Sequence, residues 1–397
     1  MDTNYPFATL AVHAGREDLA DLGVHAMPID LSTTYPLPSI AAGRDAYDFL
    51  AAGGRLTDGM SPVYRRAWNP TIARFEDAMA ALEGVGVADP SAVEALAFAS
   101  GMAATTAVVL SRVAEGLPHV VAVRPLYGGT DALLAAGVLG TSVTYVRADE
   151  VAEAITERTG LVIVESPCNP TLELTDLAAV VRAAGNVPVM VDNTFATPIL
   201  QRPLTLGAAY VVHSATKYIG GHGDAMGGVV VTNSERAMTL RPLRTITGGI
   251  LDPWSAYLLH RGLGTMPLRV EAQQERASRI ADWLSQHPAV SRVFYPGLPG
   301  ADPHGLVGRQ MSGPGAMLSF EVNSGFDGAE RVCGALRLIT HAVSLGGIDT
   351  LIEHPAALTH RVVEESAQPA PGILRLSVGL EAVADIIADL DDALRHA

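Results

Sequence analysis

The stretch His213–Gly228 reads H-S-A-T-K-Y-I-G-G-H-G-D-A-M-G-G and contains Lys217, the only lysine of the chain. Arginine supplies the other 26 of the 27 basic residues. An amine, unlike a guanidinium group, can lose its proton and attack a carbonyl. Lys217 follows an apolar run and lies among hydroxyl groups and glycines. We therefore interpret Lys217 as a lysine that forms a Schiff base, and the alternative is a surface lysine left in an arginine-rich composition.

The composition excludes several classes of protein. A length of 397 residues favours two domains over one, and 48% hydrophobic residues supply a large core. The net charge of −15 argues against nucleic-acid binding. The polar first residues and the lack of a long apolar run predict no signal peptide and no membrane segment. Two cysteines are too few for a disulfide framework or a cysteine metal site, so we expect a cytoplasmic protein without metal.

Short runs rich in Val and Ile alternate with helical patterns from about residue 95. Strands are predicted at Leu96–Ala99, Val120–Val123, Val143–Val146, Leu161–Glu165, Val187–Val191, Ala209–Val212 and Val229–Thr232. Helices are predicted to begin after Gly101, Tyr127, Asp149, Thr175 and Thr205. This alternation predicts an α/β fold with a mostly parallel, doubly wound sheet covered by helices on both faces. Ligands of such sheets lie outside the carboxyl ends of the strands, so the polar residues there are the candidates for function.

Three regions are predicted along the chain. Residues 1–62 lack a sustained period, and we expect an arm that contacts a neighbouring subunit. Residues 63–253 should form the large domain, which begins after the Asn-Pro step with a helix at Ile72–Leu82. Residues 254–397 should form a smaller α/β domain. Its predicted elements are a helix at Leu268–His287, strands at Met317–Val322 and Leu374–Val378, and helices at Ala329–Leu336 and Val383–Leu394.

Several strand ends carry residues suited to a cofactor. Gly101 and Met102 open a helix after the first strand, where backbone N–H groups suit a phosphate or form an ordinary cap. Tyr127 follows the second strand and could stack on a ring, transfer a proton or simply pack. Asp192 directly follows an apolar strand, where a carboxylate can hold a heterocycle nitrogen protonated or cap a turn.

Other polar residues extend this group. Ser214 and Thr216 flank Lys217 with hydroxyl groups that can donate to a phosphate. The segment from Glu165 to Asn169 places a carboxylate and an amide at the end of the fourth strand. Arg375 interrupts an apolar strand and needs a partner, which is either a substrate carboxylate or a structural ion pair.

Taken together, the sequence resembles the Cys/Met-metabolism (trans-sulfuration) family of pyridoxal-phosphate (PLP) enzymes of fold type I. The resemblance runs from about Pro28 to Glu381. Its motifs are H-S-x-T-K-Y-x-x-G-H-x-D-x-x-G-G at His213, Y-x-R-x-x-N-P-T at Tyr64, S-G-M-A-A at Ser100, Y-G-G-T at Tyr127, E-S-P-x-N-P-T at Glu165, V-D-N-T-F at Val191, S-L-G-G at Ser344 and R-L-S-V-G-x-E at Arg375.

The resemblance implies a role for each matching residue. Lys217 carries the cofactor and shuttles protons, Asp192 pairs with the ring nitrogen, and Tyr127 stacks on the ring. The phosphate ligands implied are Gly101, Met102, Ser214, Thr216 and, from a neighbouring subunit, Tyr64 and Arg66. Asn169, Ser344 and Arg375 are implied to hold the substrate carboxylate. The family is usually a homotetramer built from two catalytic dimers.

The implied reaction is γ-elimination on a sulfur-containing or γ-substituted amino acid, which gives 2-oxobutyrate, ammonia and a thiol. The alternative is γ-replacement by a synthase or sulfhydrylase. Val343 precedes Ser344 where members that act on cystathionine often carry an acid, so an apolar γ-substituent or an ester is favoured. Gly129 departs from members that act on methionine, which typically carry Cys there.

Two other classes fit less well. A nucleotide-binding oxidoreductase needs a G-x-G-x-x-G motif after the first strand, and the sequence has none there. A relative without activity would not be expected to keep Lys217, Asp192 and Arg375 together.

Overall fold

A computed structural model describes residues 5–56, 59–361, 363–364 and 367–397 of the chain. Two β-sheets organise these residues, and helices pack against them. The strands are β1 Val93–Phe98, β2 His119–Val123, β3 Ser142–Val146, β4 Thr159–Glu165, β5 Val189–Asp192, β6 Tyr210–Ser214, β7 Gly228–Asn233, β8 Val290–Phe294, β9 Met317–Val322, β10 Thr340–His341, β11 Leu351–Glu353 and β12 Ile373–Ser377. The helices are α1 Phe7–His13, α2 Ile40–Ala51, α3 Pro70–Glu83, α4 Gly101–Ala114, α5 Gly128–Ala135, α6 Val151–Ala154, α7 Leu177–Ala184, α8 Thr197–Leu200, α9 Ser234–Thr247, α10 Pro253–Leu263, α11 Met266–Leu284, α12 Gly325–Ala335 and α13 Val383–Leu394.

The larger sheet has the strand order β1-β7-β6-β5-β4-β2-β3, in which β7 alone runs antiparallel to its neighbours. Every residue of β2 and β4 is buried, as expected for parallel strands that are covered on both faces. This sheet confirms the predicted doubly wound α/β class. The carboxyl ends of β2, β4, β5 and β6 meet at one edge, and the candidate residues follow them.

The smaller sheet has the order β10-β11-β12-β9-β8 and is antiparallel except for the β10–β11 pair. The predicted strand at Met317–Val322 has the bounds of β9, and the predicted last helix has the bounds of α13. The sequence did not predict β8, β10 or β11, which are short or largely exposed. The two sheets fall on either side of residue 253 in sequence, and the domain boundaries themselves stay a prediction.

The predicted helix after Thr205 is wrong. Residues Pro203–Leu206 instead form a single 3₁₀ turn, which ends at Gly207 in the left-handed conformation. Gly207 forces the stop, because a positive φ ends the helical hydrogen-bond ladder and few residues other than glycine adopt it. The helices α9 and α10 were also not predicted.

The N-terminal segment was predicted to be an arm without regular structure, and this is wrong for two stretches. Helix α1 contributes Leu10 to the main core, where it lies in one cluster with Phe75 and Met79 of α3. Helix α2 begins at the cap residue Ser39, whose side chain accepts from Ala42 N. Part of this segment is therefore stabilised within its own subunit.

Helix α3 begins two residues before its predicted start. Asn69 caps it by accepting from the N–H groups of Thr71 and Ile72, at 3.0 and 3.1 Å. Pro70 suits the first helical position, where no intrahelical acceptor exists for an N–H group. Glu83 lies on the buried face of α3, which packs against the larger sheet.

Candidate active site

Lys217 lies in the turn that follows β6. Its backbone closes this turn through Lys217 N donating to Ser214 O (3.1 Å) and Gly221 N donating to Lys217 O (2.8 Å). The buried Arg269 of α11 holds the same turn by donating to Tyr218 O over 2.9 Å. Gly221 has a φ of 72°, and a Cβ there would lie 2.0 Å from Arg269 Nη1. The glycine is thus required for the close approach that fixes the lysine turn.

The Lys217 side chain is half-buried and points toward the smaller sheet. Its Nζ donates to Ser344 Oγ over 2.8 Å. Burial lowers the pKa of Lys217 to about 8, and the Arg375 guanidinium acts in the same direction, while Glu353 opposes it. A larger fraction of the amine is therefore neutral near pH 7 than for an exposed lysine, which is what a nucleophilic amine needs.

Asp192 ends β5 and lies opposite Val212 of β6 in the sheet register. Its Oδ1 accepts from Thr194 N over 3.0 Å, which holds the carboxylate at the sheet edge. Burial raises the pKa of Asp192, and the hydrogen bonds from Thr194 lower it. A cationic partner for this carboxylate would offset the burial.

Tyr127 immediately precedes α5, and its side chain is 37% exposed. Its backbone N–H donates to Glu165 Oε2 over 2.7 Å. Burial raises the pKa of the phenol, with smaller electrostatic effects from Glu353, Arg375, Glu165 and Asp192. Tyr127 therefore follows β2, as the sequence predicted, and its backbone is held at the carboxyl end of β4 by Glu165.

A candidate binding site for an anion lies where the N-terminus of α4 approaches the end of β6. Ser100 caps α4 by accepting from Ala103 N (3.1 Å), while the N–H groups of Gly101 and Met102 lie in the first turn, where the helix offers no acceptor. A Cβ at Gly101 would lie 2.9 Å from Ser214 Cβ. Glycine thus lets the helix N-terminus approach the strand end closely, and the N–H groups and the Ser214 hydroxyl converge as a phosphate requires. The donors present fit the PLP phosphate.

Thr216 belongs to the same region, but its hydroxyl already has partners. Thr216 Oγ1 accepts from Gly227 N (3.1 Å) and donates to Gly227 O (3.2 Å). A phosphate would have to compete with this carbonyl for the hydroxyl proton.

Arg375 lies in β12 and is 3% exposed. Its Nη1 donates to Asn169 Oδ1 and its Nη2 to Ser344 O, both over 3.0 Å. The guanidinium also forms an ion pair with Glu353 of β11, which is 1% exposed and lies opposite Arg375 in the strand register. Arg375 Nε has no partner among the described residues. The arginine is therefore oriented by the protein and retains one free donor.

The structure brings most of the predicted residues together through these contacts. Tyr64 and Arg66 are the exception. Tyr64 is 46% exposed with the Arg66 guanidinium 5.4 Å from its ring centroid, and Arg66 donates to Thr245 O over 2.9 Å. Neither contacts Lys217 or Arg375 in the part of the chain that the structure describes. Val343, next to Ser344, is 54% exposed and so is available to a ligand.

Sequence reasoning missed Glu353 and the buried pair of Glu83 and His213. Glu353 directly follows the apolar pair Leu351-Ile352, which is a weaker form of the signal that singled out Arg375. His213 Nε2 lies 2.6 Å from Glu83 Oε1 behind the larger sheet, and Asn193 Nδ2 donates to the same oxygen over 3.1 Å. Since Asn193 follows Asp192, this pair supports the strand end from the opposite face.

Comparison with known proteins agrees with this geometry. The fold and the site define a PLP-dependent enzyme of fold type I. Residues 8–395 match the model of the Cys/Met metabolism PLP-dependent enzymes, and the chain belongs to this family.

Two curated relatives and a crystal structure illustrate the range of the family. An L-methionine gamma-lyase from Brevibacterium aurantiacum is 57% identical over 386 residues, which cover 97% of this chain and 93% of that protein. A cystathionine gamma-synthase from Mycobacterium bovis is 39% identical over 98% of this chain and 96% of that protein. The crystal structure of metB from Corynebacterium glutamicum has a TM-score of 0.89 and 37% identity, and the match covers 100% of this chain and 99% of that one.

Two further findings concern the described residues only. None of their helices is both long and apolar enough to cross a membrane. Within the same ranges, no group of three or more His, Cys, Asp or Glu side chains is arranged to hold a metal ion.

Proposed function

We propose that this protein is a PLP-dependent carbon–sulfur lyase that carries out γ-elimination on methionine or a related amino acid. The products are 2-oxobutyrate, ammonia and a thiol, and one water is consumed. The observation that carries the proposal is the environment of the only lysine, Lys217. Its half-buried amine lies 2.8 Å from Ser344 Oγ. Burial and the Arg375 guanidinium lower the pKa of this amine to about 8. The high identity to L-methionine gamma-lyases supports elimination over replacement.

Six groups of this chain, besides Lys217, would hold the cofactor. The N–H groups of Gly101 and Met102 and the hydroxyls of Ser214 and Thr216 would bind the phosphate, Tyr127 would stack on the ring, and Asp192 would pair with its nitrogen. When bound, PLP supplies an electron sink for the carbon that loses its proton. The Asp192 carboxylate would keep the ring nitrogen protonated, and the opposite charges would offset the burial of both groups.

Lys217 moves the protons. Its amine lies at the centre of the site, and a pKa near the working pH suits a group that must both accept and release a proton. Lys217 removes the α-proton and returns a proton to the substrate after the γ-substituent has left. Tyr127, whose phenol stays protonated because burial raises its pKa, can donate a proton to the departing thiolate.

Arg375, Asn169 and Ser344 orient the substrate carboxylate. Arg375 Nε and the side-chain Nδ2 of Asn169 supply donors, while Glu353 balances the charge of the guanidinium. Val343 offers an apolar surface beside the γ-substituent, which suits a thioether. A distal ammonium would lack a partner there, unless Asp45 or Asp48 of α2 supplies an acid. Asp58, a third candidate, lies outside the described residues.

We further propose that the enzyme is a cytoplasmic homotetramer in which Tyr64 and Arg66 complete the phosphate site of a neighbouring subunit. Their exposure, without a contact to Lys217 in their own chain, supports this arrangement. Large apolar side chains in the same region are also exposed, among them Ile40 at 93% and Tyr47 at 63%. Contact with a neighbour would remove this apolar area from water.

The test is to incubate the purified holoprotein with methionine, homocysteine, cystathionine and O-acyl-homoserines, with and without an added thiol. Release of 2-oxobutyrate from methionine without added thiol is the expected result. The alternative, a γ-replacement enzyme, would consume an O-acyl-homoserine and thiol and would release little 2-oxobutyrate. The Lys217→Arg protein serves as the control and should be inactive with every substrate.

A further inference from the structure

Glu165 lies at the carboxyl end of β4 and is only 5% exposed, and none of the roles above uses it. Its two carboxylate oxygens accept hydrogen bonds from two different backbone groups. Tyr127 N donates to Oε2 over 2.7 Å, and Asn169 N donates to Oε1 over 2.9 Å. One side chain therefore connects the residue that stacks on the cofactor ring with the residue that orients Arg375.

The chemistry of the side chain matches this position. An ionised carboxylate offers two acceptor oxygens and no donor, which suits two N–H groups that approach from different loops. Asn169 is 2% exposed, so its N–H has no access to bulk water and depends on this acceptor. An apolar or amide side chain at residue 165 would leave at least one of the two N–H groups without an acceptor.

The placement also has an electrostatic cost. Burial raises the pKa of Glu165 well above its usual value, and the neighbouring Asp192 carboxylate, opposite it in the strand register, acts in the same direction. The hydrogen bonds from Tyr127 and Asn169 oppose this shift. A side chain that served packing alone would be apolar here, as the four preceding residues of β4 are.

We propose that Glu165 is a positioning residue of this site, whose carboxylate fixes the backbones of Tyr127 and Asn169 relative to each other and so places the side chains that they carry. Glu165 thereby links the residue that stacks on the cofactor to the residues that bind the substrate carboxylate. The inference rests on the proposed function, since the two residues act together only if PLP binds at Lys217.

The test compares the Glu165→Gln protein with a matched control, Asp389→Asn. Gln has the same length as Glu but replaces one acceptor oxygen with an NH₂ donor. Asp389 of α13 also accepts from backbone N–H groups, those of Arg337, Leu338 and Ile339, and none of its partners among the described residues belongs to the site. Both variants therefore lose a carboxylate that holds a loop, but only Glu165→Gln loses it at the site.

Three quantities are measured for each protein: the visible circular dichroism per bound cofactor, the Kd of PLP for the apoprotein, and the Kd of glycine as a carboxylate probe. For Glu165→Gln we expect an altered visible dichroism and about a tenfold rise in the Kd of glycine, together with weaker PLP binding. Asp389→Asn should lower the melting temperature and leave all three quantities unchanged.

The outcomes separate the inference from the function it rests on. Wild-type dichroism and wild-type Kd values in Glu165→Gln, at a lowered melting temperature, would overturn the positioning role. If Glu165→Gln does not fold, Glu165→Asp keeps both acceptors on a shorter side chain, and the same shifts are expected at smaller size. A wild-type protein with no visible band at all would instead refute the proposed function.

Discussion

Lys217 Nζ donates a 2.8 Å hydrogen bond to Ser344 Oγ and so links the turn after β6 of the larger sheet to the loop before β11 of the smaller sheet. Ser344 has a φ of 112°, which residues other than glycine rarely adopt, and its carbonyl accepts from Arg375 over 3.0 Å. The surrounding contacts therefore hold Ser344 in a strained conformation between an amine and a guanidinium. This relationship places the lysine against the residues that would bind a substrate carboxylate.

The unique lysine makes the attachment of the cofactor directly measurable. A lysine-specific protease should cut the denatured chain once, after Lys217. Borohydride reduction of the holoprotein should attach one pyridoxyl group to Lys217 and block this cut, which mass spectrometry would show as an uncut, labelled chain. A reducible label on the Lys217→Arg protein, outside the N-terminal amine, would contradict the assignment.

The lowered pKa of Lys217 predicts a pH dependence for cofactor capture. With a pKa of about 8, roughly a tenth of the amine is neutral at pH 7, and the fraction rises with pH until it levels off above 8. Stopped-flow absorbance should show the rate of PLP capture by apoprotein following this fraction. Glu353→Gln removes a carboxylate that favours the ammonium form, so its midpoint should lie at lower pH than that of the wild type measured in parallel. A wild-type midpoint near 10.5 would show that the amine is not desolvated.

Asp192→Asn should reduce kcat by on the order of 100-fold, because an amide cannot hold the ring nitrogen protonated. Asparagine has nearly the same shape and keeps an acceptor for Thr194 N. The melting temperature of the apoprotein should therefore change little, which separates the catalytic effect from unfolding. A variant that turned over at close to the wild-type rate would exclude Asp192 as the partner of the ring.

If two subunits share each active site, two inactive variants should restore activity when their subunits are mixed. Arg66→Ala and Lys217→Ala proteins should each be inactive, because one lacks a phosphate ligand and the other lacks the amine. After subunit exchange, a mixed dimer holds one site in which both residues are wild type, and some activity should return. Native mass spectrometry confirms the exchange, and a mixture that exchanges without regaining activity would show that Arg66 acts within its own chain.

Val343 is predicted to set the preference for substrate. Beside an apolar side chain, the distal ammonium of cystathionine would be left without a partner, which costs several kcal/mol when it is buried. Val343→Glu should therefore shift the ratio of kcat/KM values toward cystathionine and away from methionine, with Val343→Gln as the uncharged control. If the wild type already prefers cystathionine and neither change alters the ratio, the specificity is set elsewhere.

The sequence by itself determined the fold class and singled out the candidate residues of the site. Short apolar runs, most of them rich in Val and Ile, predicted all seven strands of the larger sheet, because such a pattern is local in sequence and is strongest where parallel strands are buried on both faces. Lys217, Asp192 and Arg375 were identified in the same way, since each has a residue type that its apolar or glycine-rich surroundings do not explain. The errors arose where local patterns are weak: Thr205 lies in a 3₁₀ turn, and α1 folds because Leu10 is buried by distant helices.

Only the tertiary structure decided which of these side chains meet. Arg375 was expected to need a partner, either a substrate carboxylate or a structural ion pair, and the fold gives it Glu353 as an ion-pair partner. Glu165 lies 38 residues from Tyr127 in sequence, and Glu83 lies 130 residues from His213, yet each pair is joined by a hydrogen bond. Such pairs depend on strand register and on the approach of loops to within about 3 Å, and no local pattern of residues encodes a distance between segments that are remote in sequence.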